Sequence, residues 1–245
     1  MLHDIYLLGS GIQIPQLTRE TLQILERCRK VFVLHDDHMV VDFVRLHCSS
    51  VVDLLYLYDG PSRPRRQVYE EIANLLIDAA KESPSVALLV HGSPMFLVSA
   101  CEYVLERAAD SGLSAVAVPA VSSFDTILCD LGLDLGYGVQ LFDVTTMVRR
   151  KWIPNPHVPA LFFQLTTFMD DNIVNEAPSP VRLVPLVDWL TQVYAKDHRC
   201  VVVHSGAHLL ERSAHREMTL ESLCQPESAE LLRLAERPTL YVPGI

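Results

Sequence analysis

Three tyrosines and three arginines crowd one proline-rich stretch: Tyr56, Tyr58, Arg63, Arg65, Arg66 and Tyr69 surround Asp59-Gly60-Pro61-Ser62-Arg63-Pro64. A phenol beside a guanidinium can act as a base, because a nearby cation stabilises tyrosinate and lowers a pKa that starts at about 10. Tyrosines at strand ends and arginines on loops also occur for structural reasons alone, so residue type leaves both readings open. In His91-Gly92-Ser93-Pro94-Met95-Phe96, the glycine permits close backbone approach. Met95 and Phe96 would offer an apolar wall to a flat ring. Gly9-Ser10-Gly11 opens like a dinucleotide fingerprint, but Ile14 stands where the third glycine belongs, so a simple turn fits equally well.

Metal chemistry has weaker support. His204, His208, Glu211 and His215 have a spacing that would suit ligands on one helical face, yet Gly206 interrupts it and His204 reads as the end of a strand. Asp36 and Asp37 with their flanking His35 and His38 read more simply as a solvated polar loop. No metal site is expected. There is no G-x-S-x-G elbow and no Walker loop, which removes the commonest hydrolase and nucleotide triphosphatase readings.

These residues need positioning, and the hydrophobic pattern supplies alternating elements. Strands are expected at 5–8, 31–34, 51–54, 86–90 and 115–118. Helices are expected over 18–29, near 39–47, along the apolar face from Tyr69 to Ala80, and near 99–109. Such alternation argues for a largely parallel sheet covered on both faces. Further along, strands are expected at 160–165, 200–204 and 239–242, with helices near 183–194 and 227–235. Trp152, Pro154, Pro156 and Pro159 suggest a crossing between lobes near Arg149, with a boundary that can fall up to about 25 residues earlier. Lobes of 1–125 and 126–245 follow.

The 245 residues, 49% hydrophobic and 20% charged, describe a packed chain rather than a disordered one. The net charge of −10 opposes polyphosphate, so nucleic acid is not an expected partner. The apolar runs fall far short of the roughly 20 residues a membrane helix needs. Met1-Leu2-His3-Asp4-Ile5-Tyr6 carries no secretory pattern, so a cytoplasmic protein is expected. The six cysteines are scattered singly and read as reduced core thiols.

Several segments together, in order along nearly the whole chain, resemble the tetrapyrrole methylase family. Tyr6-Leu7-Leu8-Gly9-Ser10-Gly11 resembles its opening glycine loop, Gly92-Ser93-Pro94 its Gly-Asp-Pro loop, and Pro119-Ala120-Val121-Ser122-Ser123 its Pro-Gly-Val-Ser-Ser turn. Ser93 and Ala120 depart from the usual Asp and Gly. Within that family the chain is similar to the borosin methyltransferases, which N-methylate backbone amides of a ribosomally made peptide. The likeness lies at Arg65-Arg66-Gln67-Val68-Tyr69 with Tyr56 and Tyr58 before it, at Asp130-Leu131-Gly132-Leu133-Asp134, at Phe142-Asp143, at Phe163-Gln164 and at Thr239-Leu240-Tyr241-Val242-Pro243.

The resemblance implies two α/β lobes with S-adenosyl-L-methionine between them, S-adenosyl-L-homocysteine as product, no metal, and a homodimer. It places the cofactor against Gly9, His91, Ser93, Met95, Phe96, Ser122, Ser123, Gln164, Ser205, Pro238 and Thr239. Tyr56, Tyr58, Arg65 and Tyr69 become the catalytic candidates. The sequence given stops at Ile245, so a separate precursor peptide is the expected substrate. Two other readings remain open: methylation of a tetrapyrrole or other small molecule, for which Arg63, Arg65 and Arg66 would meet carboxylates, and a catalytically silent binding module of the same fold.

Overall fold

The computed structural model describes residues 2–173, 179–206, 213–232 and 237–245. It divides into two compact units, Met1–Thr126 with Asp171–Ile173, and Ile127–Asp170 with Val174–Ile245.

In the first unit, β1 (Ile5–Gly9), β2 (Lys30–Leu34), β3 (Val51–Asp53), β4 (Val86–Val90) and β5 (Ala115–Ala117) form one sheet. The strand order is β3-β2-β4-β1-β5 and every pairing is parallel. β1 and β4 are buried along their whole length, which is why they read as unbroken apolar runs rather than alternating ones. Their side chains nonetheless alternate between two cores. Ile5, Leu7 and Leu88 pack with Val68, Ile72 and Leu76 of α3 (Arg65–Glu82) and with Cys101 and Val104 of α4 (Ser99–Asp110). Tyr6, Leu8, Ala87 and Leu89 pack with Leu25 of α1 (Arg19–Leu25) and with Val40, Val41 and Val44 of α2 (His38–His47). The first helix is shorter than its pattern suggests. Thr18 caps it by accepting the N–H of Thr21, and after Leu25 the amides of Arg27 and Cys28 both turn back onto the Ile24 carbonyl.

The second unit departs from the parallel expectation. β6 (Gln140–Asp143), β7 (Ala160–Phe163), β8 (Arg199–His204), β9 (Ala214–Thr219) and β10 (Thr239–Val242) lie in the order β6-β7-β10-β8-β9. Only β6 and β7 are parallel to each other; β10 runs antiparallel to both β7 and β8, and β9 antiparallel to β8. β9 is a polar, mostly exposed edge strand and therefore lacks the apolar signal of a strand. α5 (Ser123–Leu131) spans the division between the units, and α6 (Val144–Arg149) and α7 (Val184–Leu190) belong to the second. The proline-rich stretch after Arg149 connects α6 to β7 inside this unit. The expected helix over 183–194 is a 3-10 turn at Pro180–Leu183 followed by the short α7. That over 227–235 begins as a 3-10 turn at Pro226–Leu231, and its residues 233–235 lie outside the described ones.

All six cysteines are free. Burial pushes the thiols of Cys28, Cys101 and Cys200 up to about 12, and Cys48 is buried as well. Cys224 is half-buried against the core of the second unit, whereas Cys129 on α5 is exposed, so the core reading fails for Cys129. Among the described residues no helix is long and apolar enough to cross a membrane.

Candidate active site

A parallel sheet delivers the chain to one edge at the end of every strand, and ligand sites in such sheets form at that edge. In the first unit β2, β4, β1 and β5 are successive neighbours, so His35, the loop from His91, the loop from Ser10 and the Pro119-Ala120 turn emerge side by side. Two glycines tie the central loops together. Gly92 N–H donates to the Gly11 carbonyl at 3.0 Å, Gly11 N–H to the Gly92 carbonyl at 3.3 Å, and Ser10 N–H to the Val90 carbonyl at 2.9 Å. Gly11 and Gly92 both have φ near +72°, which glycine alone adopts at little cost. Gly9 is needed for a different reason. A Cβ there would lie 2.1 Å from the Gly92 carbonyl oxygen and 2.6 Å from the Ala120 Cβ.

Around this edge Ser93 and Phe96 are half-buried, Met95 is exposed, and the Phe96 ring stacks on Phe124 with centroids 6.1 Å apart. Ser122 is buried and caps α5. Its N–H and hydroxyl both donate to the Asp125 carboxylate at 2.7 Å, so its side chain is engaged in the helix start. Ser123 is half-buried beside it. A Cβ on Gly92 would meet nothing closer than Ile12 Cδ1 at 3.7 Å, which leaves the backbone of this loop approachable, with Met95 and Phe96 as apolar neighbours. A flat adenosine with polar atoms at its edges fits that combination.

β3 ends at the same edge. Asp53 accepts the Leu55 N–H and opens a 3-10 turn, Leu55–Tyr58. Tyr56 is exposed, whereas Tyr58 and Tyr69 are half-buried against the core beneath α3. Arg65 opens α3, and Tyr69 stands one turn along on the same side. The start of α3 is fastened by a segment more than a hundred residues away. Arg65 N–H donates to the Asp171 carbonyl at 2.8 Å, Ile173 N–H to the Arg63 carbonyl at 2.7 Å, and the Ser62 hydroxyl to the Ile173 carbonyl. No local pattern could have shown this.

The three arginines differ sharply. Arg63 is bound to Glu71 at 2.6 Å and Arg66 to Glu70 at 2.9 Å, a pairing that holds the Arg66 guanidinium above its ordinary pKa. Arg65 has no carboxylate partner among the described residues, and its Nε is buried without a hydrogen bond. The Tyr69 ring meets Tyr103 of α4 at 6.0 Å.

His91 has a partner that spacing did not reveal. Its Nδ1 lies 3.0 Å from Nε2 of His35, a residue 6% exposed. The ligand atoms of His35, Asp36 and His91 fall within 4.8 Å of one another, so the loop reading of His35 and Asp36 needs amending: His35 is buried. Coordination through either nitrogen of His35 would have to displace a hydrogen bond, since Nδ1 accepts the Asp37 N–H at 2.9 Å and Nε2 faces His91.

In the second unit the remaining candidates gather at one end of the sheet. Because β10 is antiparallel to β7 and β8, its first residue lies level with their last ones: Leu240 pairs with Phe162, and Thr239 with Val203. Gln164, Ser205 and Pro238-Thr239 therefore share that end. Gln164 is left-handed, with φ +67°, an uncommon conformation for a residue with a side chain, and Thr167 donates to its Oε1 at 3.1 Å. The Ser205 hydroxyl donates to Asp130 at 3.1 Å, and Thr239 is buried. His204 ends β8 opposite Ala214, and His215 pairs with Val203, so these two histidines sit on opposite faces of a sheet and share no helix face. His208 and Glu211 lie outside the described residues.

The sequence matches the family Tetrapyrrole (Corrin/Porphyrin) Methylases over residues 4–223. It is 27% identical over 243 residues to the methyltransferase/ribosomally synthesized type III borosin cyclic peptide precursor of Anomoporia bombycina, covering 97% of this chain and 27% of that protein. It is 27% identical to the methyltransferase/dendrothelin A precursor of Dendrothele bispora and 26% identical to the methyltransferase/omphalotin A precursor of Omphalotus olearius, covering 98% and 97% of this chain and 57% of each relative. The chain thus spans between about a quarter and somewhat over half the length of these relatives. Among solved structures it is similar to uroporphyrin-III-C-methyltransferase of Thermus thermophilus, with a TM-score of 0.64 and 22% identity over 99% of this chain and 93% of that one. A cobalt precorrin-4 methyltransferase gives 0.65 at 13% identity, covering 98% and 94%. Two α/β units of this topology and a family match across most of the sequence lead to one conclusion: the chain belongs to the tetrapyrrole methylase family of methyltransferases.

Proposed function

We propose that the protein transfers methyl groups from S-adenosyl-L-methionine to backbone amide nitrogens of a precursor peptide supplied as a separate chain, working as a homodimer. The cofactor, when bound, supplies an electrophilic methyl on sulfur and departs as S-adenosyl-L-homocysteine. Gly9, His91, Ser93, Met95, Phe96, Ser122 and Ser123 of the first unit and Gln164, Ser205, Pro238 and Thr239 of the second are the residues assigned to hold it. Seven of these residues carry polar side chains that can hydrogen-bond the cofactor, while Gly9, Met95, Phe96 and Pro238 offer backbone and apolar surface to a flat ring.

A peptide nitrogen is a poor nucleophile because its lone pair is delocalised into the carbonyl. The protein's task is to remove the amide proton and to align the nitrogen with the donor methyl. In this reading Tyr69, or a tyrosine of the Leu55–Tyr58 turn, takes that proton as tyrosinate, and Arg65 stabilises the phenolate. The observation that carries the reading is the state of Arg65. Its neighbours Arg63 and Arg66 are matched by Glu71 and Glu70, while Arg65, one turn from Tyr69, keeps a buried Nε unmatched. An isolated cation suits one developing negative charge, whereas a polycarboxylate acceptor calls for several free cations together. The names of the borosin relatives, which join a methyltransferase to a cyclic peptide precursor, support the same acceptor.

Intact-mass spectrometry of the protein incubated with S-adenosyl-L-methionine and the small peptides encoded beside its gene tests this. Steps of one methyl group on a peptide, localised by fragmentation to backbone nitrogen, are expected. Cofactor binding without peptide methylation would overturn the peptide acceptor in favour of a small molecule, and absence of cofactor binding would overturn methyl transfer itself.

A further inference from the structure

His35 is the first residue after β2, and β2 adjoins β4 in the sheet, Leu34 opposite Val90. The two strands therefore release His35 and His91 next to each other. Their rings meet edge to face with centroids 4.9 Å apart and an interplanar angle of 62°. Direction can be assigned from one end. The Asp37 backbone N–H can only donate, and it donates to His35 Nδ1 at 2.9 Å. The Asp36 carboxylate also lies 3.5 Å from that Nδ1, but the shorter Asp37 contact occupies its lone pair, so the proton of the neutral His35 ring is on Nε2, which faces His91 Nδ1 at 3.0 Å. Nδ1 of His91 is thereby the acceptor, and its own proton sits on Nε2. Asp37 is itself held in place, since its carboxylate accepts the Met39 N–H at 2.8 Å and caps α2.

We infer that His35 is a positioning residue for the cofactor loop: through the one-way chain from Asp37 N–H to His35 to His91, it holds His91 in its Nε2–H form. The group facing His91 Nε2 must then be a hydrogen-bond acceptor, a lone pair of an oxygen or ring nitrogen. A neutral donor such as an exocyclic amine is refused at that point. The inference rests on the proposed reading of His91 as a cofactor contact. It also accounts for a histidine buried in the sheet edge where an apolar residue would pack as well.

The test is a long-range proton–nitrogen correlation spectrum of protein labelled with 15N-histidine, the His91 lines being those lost in His91→Asn. Nδ1 of His91 is expected unprotonated and Nε2 protonated. In His35→Leu the two tautomers of His91 should mix, and the dissociation constant for S-adenosyl-L-methionine, measured by calorimetry, should rise about tenfold, the size of one lost hydrogen bond. His35→Gln keeps a donor towards His91 and should restore binding to within about threefold of wild type. A protonated His91 Nδ1 in the wild-type spectrum would overturn the inference without any variant having to fold. So would a His91 spectrum unchanged in His35→Leu. A tautomer that responds while cofactor affinity stays constant would overturn the positioning role and place the fault in the His91 contact, whereas a wild-type protein that does not bind the cofactor would show that the methyl-transfer reading itself has failed.

Discussion

Alanine at position 9 should cost far more than the addition of one methyl group usually does. The new Cβ would lie 2.1 Å from the Gly92 carbonyl oxygen and 2.6 Å from the Ala120 Cβ, where 3.4 Å is ordinary contact. The carbonyl is backbone and cannot rotate aside like the tip of a side chain. It also accepts the Gly11 N–H, so moving it strains both bonds of the Gly11–Gly92 pair. Overpacking of this kind costs about 1–3 kcal/mol, and two weakened hydrogen bonds add about 1 kcal/mol each. The total of roughly 3–5 kcal/mol corresponds to a fall in Tm of about 10 °C for a chain of this size. Gly112→Ala is the control: its φ is +69° and nothing lies within 4 Å of the added Cβ, so left-handed strain alone should lower Tm by about 3 °C. Thermal denaturation followed by near-UV circular dichroism reads both. Equal falls for the two variants, or a fall of less than about 3 °C for Gly9→Ala, would refute the claim that a backbone collision makes Gly9 indispensable. Adding Ala120→Gly to Gly9→Ala should recover a minor part of the loss, because it relieves the lesser contact and leaves the carbonyl where it was.

Tyr69→Phe should lower peptide methylation by about a hundredfold or more while leaving cofactor affinity within a few-fold, and wild-type turnover should rise on the alkaline side of its pH profile. Arg65→Lys should fail alongside it in the same mass-spectrometric assay, because a point charge on a flexible stem does not reproduce the planar guanidinium; activity retained in either variant would remove the proposed base. Iodoacetamide at mildly alkaline pH should alkylate Cys129 first, with Cys28, Cys101 and Cys200 modified only on denaturation, as peptide mapping can show. Ser122→Ala should destabilise the start of α5 by about 1 kcal/mol, seen as a Tm lower by some 3 °C. The Ser114 hydroxyl and N–H hold the Asp4 carboxyl below its ordinary pKa. That small contribution should be complete above the normal carboxylate range and fade as pH falls through the depressed value, and Ser114→Ala should flatten this acid limb of stability.

Much of the first unit was legible because a buried parallel strand is a short apolar run, and its glycines and polar residues fall where the strand stops. Val86–Val90 followed by His91-Gly92 announced both a strand and its loop. The second unit was harder to read. β9 is a polar edge strand, α7 is a two-turn helix preceded by a 3-10 turn, and the antiparallel return of β10 left no trace in local spacing. Among the candidate residues, strand-end loops gave the places, and family resemblance gave the roles. Contacts between distant segments gave no local signal: His35 with His91 across neighbouring strands, and Asp171–Ile173 with the loop before α3. Ser122, placed against the cofactor by the resemblance, also has a structural task that spacing did not show: its N–H and hydroxyl donate to Asp125 at the start of α5.

Arg65 breaks two local rules at once. A cation in the first turn of a helix opposes the macrodipole, and a buried guanidinium nitrogen without an acceptor carries a desolvation cost. Arg66 in the same turn avoids the second difficulty by binding Glu70 a turn away, and Arg63 just before the helix does so by binding Glu71. The same remedy was open to Arg65, since α3 offers Glu70 and Glu71 and the surface is rich in carboxylates. Instead the backbone of Asp171 fixes the helix start through its carbonyl, and Arg65 Nε is left buried without a hydrogen bond. Folding alone gives no reason for that arrangement. The proposed phenolate, a negative charge that would arise only during reaction one turn away, would supply one.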